Sequence, residues 1–210
     1  MSNLRKLDLS TNLFGEKGLS ALASSENMVN LTDLNLAELF IGDDNMELIG
    51  NSETLSNLLT LDLTENDLNE EAVRALVDGQ LTNLTCLNLT KNNIGDDGVE
   101  ILTKGKFVSH LKVLILEDNV LKEKSFENIS NCKYLSNLEV LNLSNNFRVG
   151  DGAKHIANSS VLSKLTSLNL EECGINEEGA SSIRNSPHLT KLKKLNLYVE
   201  KRNAFSLFKK

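Results

Sequence analysis

The sequence contains little that would mark a secreted or membrane-spanning protein. Its 210 residues include one proline, no tryptophan and only 4% aromatic residues. No apolar run approaches the roughly 18–20 residues that cross a membrane, and the first residues lack the apolar segment of a secretory signal. No serine-rich or glycine-rich stretch is long enough to act as a flexible tether. We therefore expect an undivided protein that is made in the cytoplasm.

The residues that usually carry chemistry are few and scattered. Cys86, Cys132 and Cys173 give an odd count and have no paired or metal-like spacing. The three histidines are not accompanied by a nucleophile and an acid around a pocket, and there is no glycine-rich phosphate loop. We expect reduced thiols, no metal, no cofactor and no catalytic residue.

Charge is divided unevenly along the chain. The formal net charge is −7, but residues 1–183 carry 14 Lys and Arg against 28 Asp and Glu, whereas residues 184–210 carry 8 against 1. An acidic body repels nucleic acid and anionic membranes, and it steers basic partners toward itself. The sequence therefore predicts a basic protein partner, with neither nucleic-acid nor membrane binding.

One pattern recurs throughout the chain. In the stretch Leu84-Thr-Cys-Leu-Asn-Leu-Thr-Lys-Asn, leucines occupy the first, fourth and sixth places and asparagine the ninth. The pattern begins at eight leucines, 27 residues apart with one step of 26: Leu4, Leu31, Leu58, Leu84, Leu111, Leu138, Leu165 and Leu192. Such a period is typical of a solenoid, in which each repeat is buried against its neighbours. We predict a single domain over residues 1–210.

Each repeat predicts a strand and then a turn. Polar and apolar residues alternate from Cys86 to Thr90, which is the period of a strand with one buried face. A buried Asn92 would then bond the backbone groups that the turn leaves unpaired. Stacked copies predict a ladder of Asn12, Asn66, Asn92, Asn119 and Asn146, with Cys173 substituting. Leu39 and Glu200 depart from the pattern, so we expect the ladder to be weakest near the second and last coils.

A helix is predicted after each turn. Glycine or asparagine suits the cap, and acids in the first turn meet the positive end of the helix dipole. Paired acids recur at this place: Asp43/Asp44, Glu70/Glu71, Asp96/Asp97 and Glu177/Glu178. We interpret them as helix starts, because an active site would be needed only once. Small residues in the helices are expected to let helix and strand approach closely: Gly18, Ala72, Gly98, Gly152 and Gly179.

These units determine an architecture. Parallel strands separated by helices form one sheet with right-handed crossovers. Strands lie about 4.8 Å apart and packed helices roughly 8–10 Å apart, so the stack must curve, with strands on the concave side and helices on the convex side. From Leu4 to about Tyr198 the chain resembles leucine-rich repeat proteins of the ribonuclease-inhibitor-like class. The Leu-x-x-Leu-x-Leu-x-x-Asn core, the Ile-Gly-Asp-Asp-Gly segment and the helix in each repeat carry that resemblance.

The resemblance implies an α/β right-handed solenoid of eight repeats, shaped as a horseshoe arc. Members of this family include enzyme inhibitors, innate-immune sensor domains, activators of the GTPase Ran, and bacterial effectors acting inside host cells. The leading hypothesis is a non-catalytic protein-protein interaction module. The alternatives are a GTPase-activating protein of the Ran-activator type, or a bacterial effector or sensor domain in a eukaryotic cell. In the effector case the location is a host cytosol rather than the cytoplasm of the producing cell.

The concave face offers a candidate site. Cys86, Val113, Ile115 and Val140 are predicted to form an apolar spot among polar residues, bordered by Glu117 and Asp118. An apolar centre with a charged rim is the anatomy of a protein-binding patch. The alternative is that these side chains merely raise strand propensity. The central column is nearly uniform, which predicts side chains bonding along the stack: Asp8, Asn35, Asp62, Asn88, Ile115, Asn142, Asn169 and Asn196.

An acidic rim is predicted where the chain leaves the sheet. It consists of Glu38, Glu65, Asp118 and Glu172, and it is broken by Lys91. Glu171 and Tyr198 complete the predicted partner-binding set. We expect a basic partner to approach over this rim, with the apolar spot supplying the buried anchor.

The sixth coil and the two ends depart from the pattern. Arg148 stands where Ile94 stands two coils earlier, and Val149 is expected to take the buried role, which puts Phe147 and Arg148 on the rim. Arg148 is also the residue on which the GTPase-activator alternative rests. The first strand begins three residues after Met1 without a capping helix, so we expect either a piece of a longer protein or an edge covered by another chain, for example by self-association.

At the other end, residues 199–210 are a basic tail. It is predicted to be a soluble end that prevents stacking, or else a segment that binds an acidic surface. Phe205, Leu207 and Phe208 would fold over the last core layer as a partial cap.

Overall fold

The computed structural model describes residues 3–13, 15–147 and 149–199. Within these ranges eight strands form one sheet in chain order, and every neighbouring pair is parallel. Six strands have three residues and the last two are longer: β1 Lys6–Asp8, β2 Asp33–Asn35, β3 Thr60–Asp62, β4 Cys86–Asn88, β5 Val113–Ile115, β6 Val140–Asn142, β7 Ser167–Ile175 and β8 Lys194–Val199.

A helix follows each of the first seven strands in the described part of the chain. The helices are α1 Gly15–Ala23, α2 Gly42–Gly50, α3 Glu70–Asp78, α4 Gly95–Leu102, α5 Glu123–Asn131, α6 Gly152–Asn158 and α7 Glu177–Arg184. Short 3₁₀ helices lie at Glu26–Met28, Lys106–His110 and Lys133–Asn137. Successive helices pack against one another in chain order, as successive strands do. The predicted α/β solenoid is confirmed, with its strands concave and its helices convex.

The strand register reproduces the sequence repeat. One continuous row of paired residues crosses the whole sheet: Lys6, Asp33, Thr60, Cys86, Val113, Val140, Ser167 and Lys194. The 26-residue step between Thr60 and Cys86 leaves this register intact. A slip by one residue would turn the leucines out of the core, so burial of one sheet face determines the register.

The shorter repeat is accommodated in the connection between α3 and β4. The Gln80 N–H donates to the Gly50 carbonyl at 2.7 Å, which holds this connection against the end of α2 in the coil before. A Cβ atom on Gly79 would lie 2.2 Å from the same carbonyl oxygen. Glycine is needed here because the two backbones touch.

The core is one apolar cluster that runs along the stack. Leu84, Leu87 and Leu89 of the fourth coil are completely buried, as are the corresponding leucines of the coils on either side. In the first coil Leu4 and Leu7 are only partly buried. Each inner coil is stabilised by its neighbours on both sides.

The predicted asparagine ladder is present in the middle coils. The Asn146 side chain is buried, and its oxygen accepts from the N–H groups of Asn119 and Leu121 in the preceding coil at 2.9 and 3.0 Å. Its nitrogen donates to the carbonyls of Leu116 and Leu143, at 2.9 and 2.8 Å. Asn66, Asn92 and Asn119 make equivalent bonds.

The ladder changes at the places where the sequence departs from asparagine. Leu39 is apolar and offers no such oxygen to the first coil, and Asn12 there lies exposed and donates to Leu9 and Ser10 of its own coil. Cys173 donates its thiol to the Leu143 and Glu171 carbonyls, at 3.1 and 3.5 Å. Glu200 lies outside the described residues.

The helix starts differ in part from the prediction. Asn69 and Asn176 cap α3 and α7, since their side chains accept from the N–H groups of Glu71 and Gly179. The first acid of two pairs instead reaches the next coil. Asp43 accepts from the Asn69 N–H at 2.8 Å. By the same geometry Asp96 accepts from the N–H groups of Lys122 and Ser125 at 3.0 and 3.1 Å. These acids join successive helix starts as well as meeting a helix dipole.

The small residues in the helices also need a correction. A Cβ atom on Gly152 would lie 2.8 Å from Cγ of Phe126, which is on the preceding helix rather than on a strand. On Gly179 it would meet both Ala153 of α6 and Ile175 of β7, each at 3.1 Å. The close approach expected between helix and strand is thus, at Gly152 and in part at Gly179, one between neighbouring helices.

Replacing the ladder amide by a carboxylate tests its role. We expect Asn146→Asp to lower the free energy of unfolding by about 2–4 kcal/mol, because a buried carboxylate would face carbonyl oxygens and lose the donors that satisfied them. The measurement is urea unfolding followed by circular dichroism. Asn12→Asp is the matched control and should cost under about 1 kcal/mol, since an exposed side chain is solvated. Equal losses for the two variants would contradict the ladder.

Candidate functional site

The predicted apolar spot is brought together by the sheet. Cys86, Val113 and Val140 are consecutive members of one paired row on β4, β5 and β6. Ile115 lies two residues beyond Val113, and alternate strand residues share a face. All four side chains are half-buried, so each keeps part of its apolar surface open to the concavity.

The Cys86 thiol contributes to this spot as a neutral group. Its pKa is raised, chiefly because partial burial disfavours the thiolate, and the carboxylates of Asp62 and Asp33 raise it further. The side chain therefore remains protonated at neutral pH and behaves as a small apolar group.

The central column is held by hydrogen bonds, but most of them stay within one coil. The Asp62, Asn88 and Asn142 side chains each accept from the N–H and the hydroxyl of the residue two places on. Between coils, Asn88 Nδ2 donates to Asp62 Oδ2 at 2.9 Å, and the Asn35 side chain bonds the Asp8 carboxylate. The predicted bonding along the stack is therefore present in part, beside local turns of the Asx type.

Ile115 breaks the column, and Glu117 takes over its hydrogen bonding. The Glu117 carboxylate accepts from Asn142 Nδ2 and from Asn145 Nδ2, both at 2.9 Å. Both of its oxygens are thereby engaged by the next coil. Glu117 borders the apolar spot as predicted, but it is half-buried and positioned by two amides rather than a free surface charge.

The acidic rim has an unusual backbone conformation. Glu38, Glu65, Asp118 and Glu172 are all left-handed, with φ between 52° and 57°. The N–H groups of Glu38, Glu65 and Asp118 bond the neighbouring coil at 2.8–3.0 Å, which maintains this conformation. The side chains of the four acids are consequently exposed at the edge of the sheet.

Lys91 interrupts the rim, where its positive charge is balanced by an ion pair with Glu65. Its Nζ lies 2.8 Å from Oε2 of Glu65. The pKa of Lys91 is raised, first by the hydrogen bond and charge of Glu65 and then by Glu38 and Asp118. The carboxylates of three coils therefore act on this one amine, and the rim remains negative overall.

Two predicted residues lie apart from the others. Glu171 is exposed on β7 and Tyr198 is exposed on β8, two and three strands beyond Val113 on β5. The structure places them toward the far end of the sheet, beyond the apolar spot. Contact between the predicted set and a partner remains a prediction.

A row of loop residues was missed by the sequence reasoning. Two residues after the rim position, Phe40 and Val120 are again left-handed, with φ of 53° and 58°, and both are exposed. They line the two ends of an open groove of about 530 Å³, together with Glu65, Asp67, Lys91, Asn92, Asn93 and Asp118. The signal was available in the sequence, because large apolar residues stand at a turn position where the seventh coil has Gly174.

The sixth coil follows the prediction where it is described. Val149 is completely buried and fills the place taken elsewhere by isoleucine, while Phe147 is exposed at the loop position of Phe40 and Val120, two residues after the rim position. Arg148 lies outside the described residues, as do the tail residues Phe205, Leu207 and Phe208.

The described part of the chain holds neither a metal-ligand cluster nor a membrane-spanning helix. Residues 3–13, 15–147 and 149–199 contain no group of three or more His, Cys, Asp and Glu that could hold a metal ion. Within the same ranges, no helix has the length and apolar character needed to cross a membrane.

Comparison with known proteins identifies the class. A family model described as Leucine Rich repeat matches residues 1–23, 54–77, 80–102 and 161–183. The structure is similar to that of a leucine-rich repeat protein of Leptospira interrogans, with a TM-score of 0.53 and 22% identity over 94% of this chain and 49% of the other. An internalin of Listeria monocytogenes is 19% identical over 95% of this chain and 69% of its own, with a TM-score of 0.48. No curated protein matches the sequence.

The chain is a leucine-rich repeat protein. It spans about half the length of the Leptospira protein. The fold is that of a protein-interaction module, and proteins of this class are typically non-catalytic scaffolds.

The thiols provide a test of the concave face. We expect Cys86 to react with a disulfide reagent at pH 8 more slowly than free cysteine, and faster as pH rises, because its raised pKa lowers the thiolate fraction. Cys132 and Cys173 are buried and should react only after unfolding in urea. Cys86→Ser serves as the control that identifies the reacting group. Rapid modification of one thiol at pH 7 in the native wild type would show that the described environment is wrong.

The left-handed loop residue provides a second test. Asparagine adopts this conformation more readily than a β-branched residue, so Val120→Asn should stabilise the fold by about 1 kcal/mol, or raise Tm by about 2–4 °C. Calorimetry measures this difference. Val29→Asn is the control, because Val29 is also exposed but has φ of −54°. Stabilisation of both variants to the same extent would refute the role of backbone strain.

Proposed function

We propose that this chain binds a basic protein on its concave face, with the apolar spot as the anchor and the acidic rim as the charged border. The observation that carries the proposal is the adjacency of Cys86, Val113 and Val140 on three neighbouring strands. A contiguous, half-exposed apolar row beside carboxylates has the arrangement of an interface core with a polar edge.

In this proposal the apolar spot and the acidic rim contribute differently to binding. Full burial of an aliphatic side chain contributes about 1.5–3 kcal/mol, so Val113 and Ile115 supply most of the affinity. The exposed carboxylates of Glu38 and Asp118 mainly speed the encounter with a cationic surface and exclude acidic competitors. Affinity should therefore depend on the spot, and salt dependence on the rim.

We further propose that the chain acts without catalysis and in a reducing compartment. That compartment is the cytoplasm, or a host cytosol if the protein is a delivered effector. The three free thiols support a reducing environment, in which unpaired cysteines persist. The activator alternative rests on Arg148, outside the described residues, so no observed contact favours it.

A pull-down from a eukaryotic lysate tests the concave site. Wild type is compared with Val113→Lys/Ile115→Lys, which puts two charges into the apolar spot. We expect a basic protein, identified by mass spectrometry, to be retained by wild type and reduced at least tenfold with the variant, while circular dichroism is unchanged.

The matched control is Gln80→Lys/Thr82→Lys, which adds the same charge in an exposed connection before β4. It should retain the partner. Glu38→Gln/Asp118→Asn should leave the apolar anchor but weaken the salt dependence of retention. If the concave variant and the control retain the same proteins as wild type, the concave site is disproved. Assays of GTP hydrolysis with the retained partner distinguish the activator alternative from binding without catalysis.

A further inference from the structure

The loop row is an apolar surface distinct from the concave spot. It occupies the tenth place of each repeat, and its described members are Leu13, Phe40, Asp67, Asn93, Val120, Phe147 and Gly174. Four of them are large apolar side chains with exposed fractions of 94% (Leu13), 77% (Phe40), 60% (Val120) and 62% (Phe147). A row of exposed apolar side chains at one edge marks an interaction surface. Because these side chains are exposed, they do not stabilise the fold by burial.

Backbone conformation strengthens this interpretation. Phe40 and Val120 adopt the left-handed region that Asp67 and Gly174 adopt at the same place in other coils. A bulky or β-branched residue raises the conformational energy there, and an exposed side chain recovers none of it by packing. Folding therefore gives no reason for phenylalanine or valine at these positions, and such outliers point to function.

The groove between these residues is negatively charged. Phe40 and Val120 lie at its ends, and Glu65, Asp67, Asp118 and Lys91 line it. Lys91 is paired with Glu65 at 2.8 Å, which leaves Asp67 and Asp118 without a lysine partner among the described ion pairs. The groove thus combines apolar ends with an anionic middle, and a cationic segment complements it.

We propose that this groove seats an extended segment of a basic protein, with one apolar side chain over Phe40, a second over Val120, and lysine or arginine facing Asp67 and Asp118. The inference rests on the proposed function, because it assigns the basic character of that partner to a particular segment. Phe147 lies one coil beyond Val120 and extends the apolar end.

The spacing of the two apolar anchors follows from the coil geometry. The Gly42 N–H bonds the Asn66 carbonyl and the Gly95 N–H bonds the Asn119 carbonyl, both at 3.1 Å, so the loops keep the separation of hydrogen-bonded strands. Three coil steps of about 4.8 Å separate Phe40 from Val120, or about 14 Å. An extended chain advances about 3.3 Å per residue, so anchors four residues apart span this distance and share one face.

The test uses synthetic peptides of twelve residues as probes. Each contains two phenylalanines separated by two to six positions in a background of lysine, glycine and serine, and a second series replaces lysine by glutamate. Binding to wild type is measured by fluorescence anisotropy at low salt. We expect the tightest binding at a separation of four, and at least tenfold weaker binding for the glutamate series and for peptides whose phenylalanines are replaced by serine.

Variants then assign the site. Phe40→Ser/Val120→Asn removes both apolar ends at exposed positions and should weaken the best peptide at least tenfold. Val113→Lys/Ile115→Lys, on the concave face, should change its affinity less than threefold beyond the effect of the matched Gln80→Lys/Thr82→Lys control. Urea unfolding of each variant excludes loss of structure as the cause.

Three results would overturn the inference. One is the absence of binding by every lysine peptide, and another is binding that the loop variant leaves unchanged. The third is self-association of wild type in sedimentation that Phe40→Ser/Val120→Asn abolishes, since a second copy would then be the occupant. If only the concave variant weakens peptide binding, the groove fails and the concave site stands.

Discussion

The buried amide that follows each of β3, β4, β5 and β6 is the contact on which the middle of the solenoid depends. A turn that leaves a three-residue strand must bury backbone N–H and C=O groups that the sheet cannot pair. Asn146 satisfies such groups in two successive coils, accepting from Asn119 and Leu121 and donating to Leu116 and Leu143. Because an amide both donates and accepts, one side chain can connect each coil to the one before it. The amide thereby adds a second connection between coils to the backbone pairing of the strands.

That constraint also shapes the surface. The chain turns sharply just before the ladder position, and the residue there adopts a left-handed conformation in coil after coil, also where Leu39 or Cys173 replaces the asparagine. Side chains there cannot pack inward, so they project from the edge of the sheet. Glu38, Glu65 and Asp118 are exposed for this reason, and the same edge continues into the loop row at Val120. The acidic rim and the apolar groove are therefore consequences of one backbone geometry, with side-chain identity deciding their chemistry.

The repeat made much of the architecture predictable. The eight starting leucines correctly located the strands, and the columns of the concave face match the observed register through the one shortened repeat. Two of the corrected expectations concerned contacts between coils. Asp43 and Asp96 were expected to act on the helices that they begin, but their carboxylates accept hydrogen bonds from the following coil. Gly152 was expected to let its helix pack closely on a strand, but it faces the ring of Phe126 on the preceding helix.

The amino-acid sequence by itself determined the period, the buried leucines, the asparagine ladder and the acidic charge of the body, because each of these follows from the order or the number of residues along the chain. Tertiary structure alone decided which residues from different coils meet. Glu117 is held by two amides of the next coil, and Phe40 and Val120 face one groove although they are 80 positions apart in the sequence. Such contacts depend on the spacing and curvature of stacked coils, and no local pattern encodes them.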